Sequence, residues 1–273
     1  MFNILPWKLY EADVERFWVH YGLLILGAVI VIITAIFQWA KPAPYGKHES
    51  VSSNWGCAIP QRLGHIFSDA TPGVLLFLLV FFLYGKARGY ANYTFLALWL
   101  CHYIHRGVLH PLMMRYKSSK VAFGITFAGF IPNCLFHFVN ADFVGNAEYD
   151  SNYYYDPRLI VGLVLYVIGF TINRWADWKL RSLRSQKGDY KNGSTGYYIP
   201  YGGLFELISC PNYFGEFVEW IGWTTATWSL AGLVWMLFGA ATFFTRSRHN
   251  HQWYKANFEF YPPNRKALIP WLF

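Results

Sequence analysis

Three clusters of polar side chains interrupt an otherwise apolar chain, and each is capable of chemistry. In INRWADWKLRSLR, Asn173, Asp177, Arg181 and Arg184 follow at spacings of four, four and three. That puts all of them on one face of a helix. Arginine meets phosphate oxygens with two parallel donors, so this face can hold a phosphate and ribose; it can equally be a helix end stitched by Asp-to-Arg pairs and anchored at lipid headgroups. In CPNYFGEFVEWIG, Asn212, Glu216 and Glu219, spaced four and three, place two carboxylates and an amide on one face beside Trp220. No Lys or Arg lies nearby in sequence, so the basic C-terminal tail or Arg181 is the expected partner, and a structural ion pair and a binding site both fit. The Asn212 amide, directly after Pro211, suits a carboxamide or similar polar ligand. The third cluster is HYIHR, with His102, Tyr103, His105 and Arg106, together with Asp69 in an earlier apolar stretch. A tyrosine hydroxyl and a carboxyl group can together hydrogen-bond a carbonyl oxygen and stabilise the charge that develops there. A lone membrane tyrosine is more often an interfacial anchor. A metal site is not expected, because the sequence has no HExxH and no Cys/His cluster at ligand spacing.

The elements that must position these groups follow from composition. Of 273 residues, 55% are hydrophobic, 21% aromatic and only 14% charged, against about 25% charged in a soluble domain. Charges are almost absent from 19–37, 123–140 and 220–245, each near the ~20 residues that span a bilayer. The fold expected is an all-α polytopic membrane helix bundle of one domain, residues 1–273. Seven spans are expected at 19–39, 66–85, 91–113, 121–140, 158–180, 203–221 and 223–245. Interruptions are expected at Thr71-Pro72-Gly73 and at Ser209-Cys210-Pro211-Asn212, where proline removes a backbone donor. Tyr201-Gly202-Gly203 is a turn signal, not a nucleotide-binding glycine loop. Cys57, Cys101, Cys134 and Cys210 show no CxxC spacing and are expected as buried thiols.

The formal charge of +8 resides between the spans and not on one polar surface, so nucleic acid is not an expected partner; the lipid bilayer is. Basic residues concentrate at 115–120, 174–191 and 246–266, all on one side of a seven-span chain, whereas Asp142, Glu148, Asp150 and Asp156 fall on the other. Cytoplasmic loops carry the excess of Lys and Arg, which places the N-terminus outside and the C-terminus in the cytosol; Lys86 and Arg88 run against that rule.

Longer motifs carry a resemblance. AKPAPYGKH (Ala40–His48), HYIHR (His102–Arg106), the IN…D…LR pattern from Ile172 to Arg184, YYIPYGGLFELISCPNYFGEFVEWIGW (Tyr197–Trp223) and the closing RKALIPWLF from Arg265 resemble the steroid 5α-reductase family over nearly the whole chain. The resemblance implies a seven-helix membrane enzyme that binds NADPH from the cytosolic side and passes hydride to a 3-oxo-4-ene steroid. Its location would be the endoplasmic reticulum in a eukaryote or the inner membrane in a bacterium, with no obligate protein partner. By position, Tyr103 would donate a hydrogen bond to the 3-oxo group. Its companion in the family is a Glu in a QELP motif; here the stretch reads Ser68-Asp69-Ala70-Thr71-Pro72, making Asp69 the aligned acid, with a shorter side chain. The family's cofactor positions fall on Tyr45, Arg115, Asn173, Asp177, Arg184, Tyr198, Asn212, Glu216, Arg246 and Tyr254, while Lys117 stands where an Arg occurs and Asn250 replaces a His. The alternatives are a sibling membrane reductase of an enoyl thioester or polyprenol, and a non-catalytic sterol-binding or transport protein.

Overall fold

The computed structural model describes residues 9–10, 13–42, 48, 55–114, 119–184 and 197–273, and these are mostly helical. Helix α1, Val14–Ala40, starts where the Asp13 carboxylate accepts from the Arg16 backbone N–H at 3.1 Å, the usual device for satisfying a free helix N-terminus. Helix α2 is Gln61–Tyr84 and α3 covers 90–113. Helix α4 is Phe123–Asn146, α5 is Pro157–Leu183, α6 is Pro211–Thr227 and α7 is Leu230–Asn257. Two short antiparallel strands, β1 (Ala58–Pro60) and β2 (Lys120–Ala122), pair Ile59 with Val121 between α2 and α4.

Five of these helices, α1, α2, α4, α5 and α7, are long and apolar enough to cross a membrane. Their outward faces carry exposed Ile25, Ile36, Phe37, Leu79, Leu83, Val164 and Val167, the apolar exterior that lipid stabilises and water does not. The chain is an integral membrane protein. At 28 residues α7 is about 42 Å long, more than the ~30 Å hydrocarbon thickness.

Two expected interruptions take other forms. Thr71-Pro72-Gly73 does not break α2: the chain widens into a π-helical stretch over Ile66–Leu76, and Phe77 N–H donates back to the Pro72 carbonyl. Helix α3 does the same over Ile104–Leu109, just after Tyr103. Pro211 lies at the first turn of α6 and starts that helix, where its missing N–H is harmless. The expected span 203–221 therefore begins too early, because Gly202 and Gly203 take φ of +92° and +55° in a turn, and the last helix continues to Asn257. The four cysteines are free thiols, but only Cys210 is buried; Cys57 and Cys101 are exposed and Cys134 is intermediate, since apolar sequence in a membrane helix can face lipid as readily as core.

Helices α5 and α6 meet backbone to backbone. A Cβ placed on Gly215 would lie 2.5 Å from the amide N of Asn173 and 2.7 Å from the carbonyl O of Gly169, and one on Gly222 would lie 2.6 Å from the carbonyl O of Gly162. Glycines seven residues apart on each helix thus form a stripe that permits close approach, as small residues commonly do between membrane helices. The bundle centre is aromatic: Trp99, wholly buried, packs within 4.6 to 6.2 Å (ring centroids) of Phe77, Tyr103, His137, Trp220, Trp223 and Trp235.

Candidate functional site

Tyr103 sits where the aromatic centre meets a polar network. It ends the α-helical part of α3, where the chain then widens, and is 4% exposed. Its ring lies directly over Gly73 of α2, so tightly that a Cβ there would stand 2.9 Å from Cε1. Trp99 packs at a tilt, ring centroids 5.0 Å apart, and donates its indole N–H to the Gly73 carbonyl at 3.1 Å. These contacts fix the plane of the phenol. Its hydroxyl is 2.8 Å from Nε2 of His137 on α4.

Asp69 lies on the widened part of α2 and is partly buried. Its Oδ1 accepts from Ser68 Oγ at 3.0 Å and, more weakly, from Asn133 Nδ2 at 3.5 Å; the same Asn133 amide donates to the Ser68 carbonyl at 3.0 Å. The Tyr103 hydroxyl bonds to His137, and the Asp69 carboxylate to Ser68 and Asn133.

Below Tyr103 the polar groups of α3, α5 and α6 interlock. His102 Nδ1 is 2.7 Å from Glu219 Oε1, with both side chains inaccessible, and its Nε2 is 3.9 Å from Glu216. Asn173 donates to the Asn212 carbonyl at 2.8 Å and to Glu216 Oε2 at 3.2 Å. Asp177 faces His110 at 3.3 Å and Arg106 at 3.6 Å, and Arg174 reaches His105. The expectation that Arg181 or the basic tail partners the carboxylates is corrected. The α5–α6 glycine contact brings Asn173 to Glu216, and the HYIHR segment of α3 supplies histidines and Arg106 to Glu219 and Asp177. A buried ion needs its partner within a few ångström, and α3 is the helix that lies opposite.

The remaining candidates lie toward the basic end of α7. Arg246, 5% exposed, donates from Nε to the Tyr213 hydroxyl at 3.2 Å, one residue beyond Asn212. Tyr254, 2% exposed, stacks on Tyr261 with ring centroids 5.2 Å apart. Arg184 closes α5 with its guanidinium 5.4 Å from the Tyr197 ring centroid, beside the partly buried Tyr198. Asn250 Oδ1 accepts a hydrogen bond from His48 Nε2 at 3.1 Å. Tyr45, Arg115 and Lys117 lie outside the described residues. Burial pushes the Tyr261 hydroxyl pKa up, so it stays neutral at physiological pH.

The structure therefore gathers Asn173, Asn212 and Glu216 in one network, which His102 joins to Glu219 and, with ring centroids 4.8 Å apart, to Tyr103, while Asp177, one turn on from Asn173, meets Arg106 and His110. Among the described residues, buried Asn173 Oδ1 and Arg174 Nε and Nη2 have no hydrogen-bond partner. Buried polar atoms are seldom left so without a ligand or water to meet them. The donor set, amide, guanidinium and carboxylate at the polar end and aromatic rings at the other, fits a molecule with a charged, hydroxylated half and a flat half. Sequence reasoning passed over His137, Asn133 and the His102–Glu219 pair. His102 was in the HYIHR motif, but LFHFVN around His137 carries no spacing that marks it.

A family model described as 3-oxo-5-alpha-steroid 4-dehydrogenase matches residues 120–273. The chain is 34% identical over 273 residues to a steroid 5-alpha-reductase DET2 of Solanum lycopersicum, covering 97% of this chain and 100% of that protein. It is 35% identical over 255 residues to the 3-oxo-5-alpha-steroid 4-dehydrogenase 1 of Rattus norvegicus, covering 92% and 94%. The Mus musculus 3-oxo-5-alpha-steroid 4-dehydrogenase 1 is 41% identical over 182 residues, covering 66% and 69%.

Proposed function

The chain belongs to the 3-oxo-5-alpha-steroid 4-dehydrogenase family of oxidoreductases, and on that premise we propose that it reduces the 4,5 double bond of 3-oxo-4-ene steroids with NADPH. The single observation that supports this reading best is the placement of the Tyr103 hydroxyl. It lies at the boundary between an aromatic interior suited to a flat apolar body and a polar network suited to a nucleotide.

NADPH would be held by Asn173, Asp177, Asn212 and Glu216 near its reactive end and by Arg184, Tyr198, Arg246 and Tyr254 toward its phosphates, with Tyr45 and Arg115 completing the set. When bound, it supplies hydride for the β-carbon of the enone. The protein's own contribution is charge stabilisation and positioning. The Tyr103 hydroxyl donates to the 3-oxo oxygen, drawing electron density from the β-carbon and stabilising the negative charge that grows on oxygen. Asp69, on the widened stretch of α2, would complete the polar surroundings of that oxygen. The buried Trp99 and Trp220 rings beside the phenol would keep water from it.

For the topology we propose seven crossings, with the N-terminus outside and the cofactor end in the cytosol, in the endoplasmic reticulum or a bacterial inner membrane. The excess of Lys and Arg around α5 and the end of α7 supports it. The test is purified protein with NADPH and a panel of enones, with products identified by mass spectrometry. Enone-dependent NADPH oxidation yielding a 5α-dihydrosteroid is expected; oxidation with an enoyl thioester or a polyprenol and not with any steroid would overturn the substrate class.

A further inference from the structure

His137 belongs to none of the sequence motifs that mark the site. It occupies the middle of α4, is completely buried, and is held on both sides by aromatic rings, Trp99 at 5.3 Å and Trp235 at 5.2 Å, each roughly edge to face. Its ring also packs against that of Tyr103 at 4.5 Å, so its Nε2 is confined to one position, 2.8 Å from the phenol oxygen. The other nitrogen, Nδ1, is buried and makes no hydrogen bond.

A phenol has one hydrogen, and a neutral imidazole has one as well. Two arrangements follow. With its proton on Nδ1, where no partner meets it, Nε2 can only accept; the phenol hydrogen is then engaged by His137 and is not available to a ligand. With the proton on Nε2, the imidazole donates to the phenol oxygen. The phenol hydrogen is then free to point away from α4, and the phenol becomes a better donor because its own oxygen is already hydrogen-bonded.

We infer that His137 is the positioning residue of Tyr103, and that the reactive form of the site carries its proton on Nε2, leaving the Tyr103 hydroxyl to donate to the substrate carbonyl. This rests on the proposed role of Tyr103 and adds a second residue through which that role is exerted. His137 itself touches neither substrate nor cofactor, so its removal acts on turnover and not on cofactor binding. It acts only when the phenol is present.

The test is a double-mutant cycle with a steroid enone and NADPH, in detergent or nanodiscs, using Tyr103→Phe, His137→Leu and the double variant. Cofactor binding is followed separately by quenching of tryptophan fluorescence. The single His137→Leu variant should lose on the order of 10²-fold in kcat, the scale of one lost charge-stabilising donor. NADPH affinity should stay within about twofold, and adding His137→Leu to Tyr103→Phe should cost nothing more, as groups acting as one unit behave. His137→Gln, whose amide N–H reaches close to the Nε2 position, should restore most of the turnover, whereas His137→Asn, too short to reach, should not. Independent, multiplying losses in the double variant would overturn the inference, as would equal activity of the Gln and Asn variants. If His137→Leu fails to fold, the Gln and Asn pair alone decides. Full turnover in Tyr103→Phe would sink the proposed role of Tyr103; loss there combined with normal turnover in His137→Leu would sink only the inference about His137.

Discussion

Replacing Gly215 by alanine tests whether the site depends on the α5–α6 backbone contact. The added methyl would stand 2.5 Å from the Asn173 amide N and 2.7 Å from the Gly169 carbonyl O, whereas ordinary contact begins at 3.4 Å. The shortfall is about 0.9 Å, and both neighbours are backbone atoms, so no rotamer change relieves it. The helices must separate or slide by nearly that amount. Overpacking of this kind costs about 1–3 kcal/mol, which should appear as a lower melting temperature in detergent. The effect on the site is larger in proportion, because the Asn173 amide that meets Asn212 and Glu216 belongs to the displaced residue. A displacement near 1 Å in a positioning group costs on the order of 10²-fold in rate. The matched control is Gly129→Ala on α4, where a Cβ meets nothing within 4 Å; alanine there gains helix propensity, up to about 1 kcal/mol. The assay is a thermal melt and kcat/KM for both variants. Indistinguishable melting and turnover of the two would refute the claim that backbone contact between α5 and α6 builds the network.

Tyr103→Phe should remove turnover by ~10²–10³-fold with NADPH binding nearly intact, checked by steady-state kinetics and cofactor titration; Asp69→Asn should lose less, and Asp69→Glu should retain activity or shift preference among steroid enones. Arg184→Ala should raise the NADPH requirement far more than it slows saturated turnover, since a phosphate contact contributes mainly uniform binding. In sealed vesicles of known orientation, NADPH added outside should support activity only where the C-terminus is exposed, and activity confined to the opposite orientation would refute the topology. Asp156, which caps α5 and is hydrogen-bonded by Arg158 Nε at 3.0 and 3.1 Å, is held below the usual carboxylate range by that guanidinium. A folded-state pKa below the unfolded one contributes stability that is present above about pH 4 and lost as pH falls through the folded value. Asp156→Ala should therefore cost about 1 kcal/mol near neutrality through the lost cap, with the gap to the parent protein narrowing in melts below about pH 4.

What the sequence disclosed about this site depended on whether the information lay within one helix. Spacings of three and four fix which residues share a face, so the Asn173–Asp177 and Asn212–Glu216 faces were legible from residue spacing alone. A face does not name what it meets. One reading of the Asp177 face paired it with arginines of its own helix, and Glu216 and Glu219 were expected to meet the basic tail or Arg181, yet Arg106, His110 and His102 come from α3. That choice follows from the α5–α6 glycine stripe, which carries α6 close enough to α5 for α3 to cover both, and no single span encodes it. The span at 203–221 failed for a local reason: Gly202, Gly203 and the aromatic residues around them score as apolar, while the glycines' positive φ values turn the chain. Asp69 and Tyr103 show a third kind of limit. Both flank or occupy π-helical stretches, and widening by one residue per turn rotates every following side chain away from the direction that a regular 3.6-residue period would assign. The acid and the hydroxyl can be named from residue type, but the direction Asp69 faces, inside its stretch, is set by that widening, whereas Tyr103 comes just before the other. It is the widened α2 that sets Gly73 under the Tyr103 ring and leaves the hydroxyl to His137.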